Sequence, residues 1–202
     1  MPRSKQGGRG LAAALFLIAA VAALPAEAHR QTPLTAEEAV GLEIPGLTHG
    51  EMRSVERYRS EIRRLAGRQY PTDATFRRLL NHANIQLAYC AWGLVPNSIA
   101  DEASPFNECA HAYLSAYRAV LARMADMPGQ PEAARQLAGR IDTAIRADPE
   151  AELLCQYSVE PFYTGSVVAP AALDAVRYPP VALFLAAILL SGMGLALRRF
   201  GR

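Results

Sequence analysis

Residues 48–69 read THGEMRSVERYRSEIRRLAGRQ, and this stretch decides the fold class. Thr48 and Glu51 have the spacing of a capping box, in which the hydroxyl and the carboxylate each satisfy an amide left free where a helix starts. Met52, Val55, Ile62 and Leu65 then recur at helical intervals as far as about Gln69, with Tyr58 at the edge of the apolar face. Arg53, Arg57, Arg59, Arg63, Arg64 and Arg68 take much of the remaining surface, with Glu56 and Glu61 among them, and read as a solvated outer face. A helix apolar on one side must cover that side with other elements.

The covering elements follow downstream. Phe76, Leu80, Ala83, Leu87 and Cys90 recur every three or four residues, which predicts a helix over Asp73 to Trp92. Ser104-Pro105 is a cap followed by a proline, and Phe106, Cys109, Tyr113, Tyr117, Val120 and Met124 line a third helix, antiparallel to the second. Pro128-Gly129 ends it. Pro131 opens a fourth with Leu137, Ile141 and Ile145 on one side, and Asp148-Pro149-Glu150 suggests a further short one. Tyr163 to Val168 has extended character, but no second strand is visible to pair with it, so it reads as a loop. Upstream, Thr35 to Glu38 repeats the capping spacing, although Gly41 and Pro45 limit any helix there to a turn or two. The fold class is all-α: a small helical bundle.

Both ends of the chain are apolar. Leu11 to Leu24 follows Arg3, Lys5 and Arg9, and Ala26-Glu27-Ala28 supplies the small-x-small pattern of a signal-peptidase site. As a helix this run reaches only about 21 Å, short of a hydrocarbon core of roughly 30 Å, which favours a signal peptide cleaved after Ala28. At the other end no charge occurs from Tyr178 through Leu197, and those residues would span about 30 Å. Arg198, Arg199 and Arg202 follow, as the positive-inside tendency requires of a cytoplasmic tail. The expected organisation is a signal peptide over 1–28, an extracytoplasmic helical domain over 29–177, a transmembrane helix over 178–197 and a basic tail over 198–202. That places the protein in a bacterial inner membrane as a single-pass protein with its main domain in the periplasm. Ala186, Ser191 and Gly192 are the small residues of the span that let another membrane helix approach.

The apolar helix and Arg198-Arg199 also resemble the sorting tail of bacterial exported proteins of the PEP-CTERM type. The resemblance covers about 25 residues, and Tyr178-Pro179-Pro180 lacks the central glutamate of the Pro-Glu-Pro motif. It implies a segment that is processed rather than kept as an anchor, and implies nothing about activity.

With the ends set aside, the charge changes sign. Between His29 and Tyr178 there are 15 Arg and no Lys against 18 Asp and Glu, a formal charge of −3. A nucleic-acid partner has no electrostatic basis here.

Three cysteines and four histidines are the only candidates for a site. In an exported domain thiols oxidise where geometry permits. Cys90, near the end of one helix, and Cys109, near the start of its neighbour, are the expected disulfide, with Cys109 to Cys155 as the alternative pairing. No Cys-x-x-Cys, His-Glu-x-x-His, Gly-x-Ser-x-Gly or phosphate loop is present, and no cofactor is expected. His29, His49, His82 and His111 share no short metal-ligand spacing. His82, beside Asn81 and Asn84, reads as a polar-face residue, and Cys109 and His111 fall on different sides of one helix.

Three functions fit this pattern. The first is a non-enzymatic membrane-anchored accessory or scaffold subunit of a larger membrane complex; Tyr113, Tyr117 and Trp92 are further contact positions for it, although these aromatics read more readily as core residues. The second is an exported metal-dependent redox protein with copper at the amino terminus of a processed His29, helped by His49, His82 or His111. The third is a membrane-tethered domain for a small molecule or peptide.

Overall fold

Thr48 accepts a hydrogen bond from the amide of Glu51 at 3.0 Å, and Glu51 accepts one from the amide of Thr48 at 2.9 Å. That box starts α1 (His49–Ala66) in a computed structural model that describes residues 40–200. The signal segment, the cleavage position, His29 and the Thr35–Glu38 capping signal lie outside the described residues. The remaining elements are β1 (Glu43–Ile44), α2 (Ala74–Tyr89), α3 (Asn107–Ala125), α4 (Pro131–Ala147), β2 (Phe162–Tyr163), α5 (Ala172–Arg177) and α6 (Pro179–Phe200). The described residues fall into two units, divided after Pro170.

In the first unit, α3 is the central helix and packs against α1, α2 and α4. Its Ala110, Ala112, Leu114, Ala116, Val120 and Leu121 are buried, with small residues letting the neighbouring backbones approach. The second and third helices are antiparallel, as their ends show. The Cys90–Cys109 disulfide, with Cα atoms 5.7 Å apart, ties the end of α2 to the start of α3. At the far end Arg123 of α3 pairs with Asp73, the N-cap of α2. Tyr117 donates to Asn84 Oδ1 at 2.9 Å between them.

Tyr113 and Tyr117 are core residues, as their place on the apolar face of α3 predicts. Tyr113 donates to Glu56 at 3.3 Å and accepts from Arg59 at 3.2 Å, so its hydroxyl stays satisfied although desolvation raises its pKa. Trp92 is the exposed one of the three.

Two sequence expectations are corrected here. Phe162–Tyr163 does have a partner: it pairs antiparallel with Glu43–Ile44, in the register Glu43 with Tyr163 and Ile44 with Phe162. The pairing joins segments more than 100 residues apart, so no local hairpin signal announced it. Asp148-Pro149-Glu150 starts turns rather than a helix, because this segment bends back over the start of α1. Gly50 makes that bend possible. A Cβ there would stand 2.0 Å from the Glu150 carbonyl oxygen, and its amide donates to Leu153 O at 3.3 Å.

The second unit contains α5 and α6. Pro179–Arg199 is long and apolar enough to cross a membrane, with a mean hydropathy of 2.2. Ser191 and Gly192 are exposed on this helix and Ala186 is half-buried.

Candidate metal centre

The fold of the 148–160 segment over α1 has a chemical consequence. Thr48 donates to Ala151 O at 2.6 Å, and Val159 donates to Leu47 O at 3.0 Å, so the segment is pinned at two points against the residues just before His49. Cys155 lies between those pins. His111 reaches the same point from the second turn of α3, while Cys109, two residues earlier, is turned to the disulfide.

One ligand atom from each of His49, His111 and Cys155 lies within 4.8 Å of the other two. Cys155 Sγ is 3.2 Å from His111 Nε2, and the rings of His49 and His111 have centroids 5.8 Å apart, tilted by 47°. Both histidines are buried and Cys155 is partly so. Two imidazoles and a thiol within one ion's reach form a donor set able to hold a metal.

The electrostatics suit this role. Burial, and then the neighbouring His49, push the His111 pKa down to about 4, with the Leu47 backbone opposing weakly. Burial also lowers that of His49, with Glu102 opposing and Arg53 assisting. Both rings are therefore neutral near pH 7, the state in which an imidazole nitrogen has a lone pair to give. His49 Nδ1 is buried and lacks a hydrogen-bond partner, a cost that a bound ion would remove.

Ser158 organises the surroundings. Its hydroxyl oxygen accepts from the His49 amide at 3.1 Å and the Cys155 amide at 2.9 Å, and the hydroxyl faces Cys155 Sγ at 3.6 Å. Asn107 Oδ1 is 3.7 Å from the same sulfur, while its amide nitrogen donates to Ile99 O at 3.3 Å. Next to Ser158, Val159 has φ of +59°, a left-handed conformation costly for a β-branched residue and held by its hydrogen bond to Leu47.

This cluster, able to hold a metal ion, corrects the expectation of a non-enzymatic domain. Of the four histidines proposed as ligands, the structure brings together His49 and His111. His82 is buried in α2 outside the cluster with Nε2 unpartnered, which also corrects its reading as a polar-face residue. Cys155 was absent from the predicted ligands. It is the cysteine left over once Cys90 and Cys109 have paired, and an odd thiol in a chain that also carries histidines is the one sequence signal for it.

Comparison with protein-family models, with curated proteins and with solved structures finds no match. The functional reading therefore rests on the site itself.

Proposed function

We propose that this protein is an exported metalloprotein whose helical unit holds a copper ion through His49, His111 and Cys155 and serves redox chemistry at a membrane. The convergence of three ligand atoms within 4.8 Å carries this reading. Imidazole and thiolate donors both suit copper, which also stands above zinc in the order of divalent affinities. A three-residue donor set leaves a coordination position for an exogenous ligand. This proposal replaces a site built on His29 with one inside the helical unit.

The proposal includes export by residues 1–28 and anchoring by Pro179–Arg199, with Ala186, Ser191 and Gly192 free to meet another membrane helix. The apolar length of that helix and the arginines after it support anchoring.

Metal analysis of the full chain, purified without chelators and then titrated with copper and zinc, tests the assignment. We expect one copper per chain and a sulfur-to-copper charge-transfer absorption that disappears in Cys155→Ser. Stoichiometric zinc that copper does not displace would contradict the redox assignment, and no retained metal would contradict the centre as a whole.

A further inference from the structure

Two side-chain oxygens outside the ligand set flank the Cys155 sulfur, and they have opposite characters. Ser158 Oγ, at 3.6 Å, already accepts from the amides of His49 and Cys155, so its proton is what faces the sulfur. Asn107 Oδ1, at 3.7 Å, has no proton to offer. Among the described residues the Cys155 thiol is the one hydrogen-bond donor to that oxygen.

The surroundings of Asn107 decide which arm of its amide faces the sulfur. The residue is fully buried, and Nδ2 donates to Ile99 O at 3.3 Å. A carbonyl only accepts, so Nδ2 stays on that side and Oδ1 on the sulfur side. Ile99 lies in a run of turns in which the amides of Asp101, Ser104 and Asn107 donate to Asn97 O at 2.8 Å, Asp101 O at 3.0 Å and Ser104 O at 3.0 Å. That run ends at Asn107 itself, the first residue of α3, and His111 follows one turn later on the same face.

A thiol gives up its proton when it binds a metal. Oδ1 would then face a bare thiolate, two acceptors with nothing between them. A cation in reach of both removes that conflict.

We propose that Asn107 Oδ1 is a fourth, weak oxygen donor to the copper held by His49, His111 and Cys155. The inference rests on the copper centre proposed above. Two imidazoles and a thiolate with one weak further donor make a copper site whose reduction potential that further donor tunes. An amide oxygen favours copper(II) over the softer copper(I), so Asn107 holds the potential down. An outside ligand reaches the copper by displacing this oxygen.

Electron–nuclear double resonance tests the assignment on the full chain, loaded with copper(II) and produced with asparagine isotopically labelled at the side-chain carbonyl carbon. We expect a coupling between copper and the labelled carbon that vanishes in Asn107→Leu. Redox titration then reads the potential, which should rise in Asn107→Leu, where no oxygen is offered, and fall in Asn107→Asp, where a charged one is. Both variants lose the amide donor to Ile99, so a role confined to holding the turns would move both potentials the same way, and that result would overturn the proposal. Absence of the carbon coupling in the parent chain would overturn it as well, without requiring any variant to fold. The sulfur-to-copper absorption of the parent chain tells the two readings apart. Its presence without carbon coupling would remove Asn107 alone, and its absence would remove the copper centre together with this donor.

Discussion

Cys109 and His111 stand two residues apart on α3 and face different chemistry. Cys109 meets Cys90 across the turn between two helices and is consumed in a disulfide. His111 meets Cys155 and His49, whose ligand atoms converge with no covalent bond between them, and the Nδ1 atoms of both imidazoles have no hydrogen-bond partner. The difference lies in what each side of the helix can reach. A thiol opposite a thiol locks structure. A thiol opposite two neutral imidazoles has lone pairs to offer an ion.

The largest expected effect separates these two sides. Cys155→Ser removes a ligand and should weaken copper binding more than about 100-fold, beyond the range of losses seen when only a supporting residue is changed. Isothermal titration in the presence of a competing chelator reads this, and unchanged affinity would merge the two sides into one structural role. The Cys90→Ser/Cys109→Ser pair should do the opposite. It should lose roughly 3 kcal/mol of stability for a closed loop of about 20 residues while keeping the metal stoichiometry. Denaturant unfolding with metal analysis on the same sample tests both halves.

Acidification sharpens the contrast, since the disulfide does not titrate over this range. In the metal-free protein His111 has a pKa of about 4 in place of 6.5. As pH falls below 6.5, the unfolded chain takes up a proton that the folded chain refuses, so stability drops until about pH 4 and then levels off. The full loss attributable to His111 is about 3 kcal/mol. Urea midpoints across that window should fall less steeply in His111→Gln than in the parent chain, and equal slopes would contradict the assignment. The smallest effect belongs to Ser158→Ala, which leaves all three ligands in place but releases the backbone support of His49 and Cys155. It should cost about 10- to 100-fold in copper affinity with stoichiometry retained.

Much of the helical framework was legible because its signals are local. The Thr48–Glu51 box, the apolar repeats of α1 to α4, Pro131 at the start of α4 and the Cys90–Cys109 pairing all depend on neighbours within a turn or two, or across one connection. The centre was not legible for the converse reason. His49, His111 and Cys155 are spread over 106 positions and meet only because Gly50 lets the 148–160 segment lie against the start of α1. The spacing of Thr48 and Glu51 shows only a helix cap. Thr48 also fixes Ala151, and with it the approach of Cys155 to His49. Pairing of β1 with β2 was hidden in the same way, since each strand finds its partner only in the folded chain.

The central claim is that one thiolate and two imidazoles bind the same ion. X-ray absorption at the copper edge of the purified, copper-loaded full chain addresses it directly. The account predicts a first shell with one sulfur and the scattering pattern of two imidazole rings, and loss of the sulfur shell in Cys155→Ser. A shell of nitrogen and oxygen alone in the parent protein would contradict it.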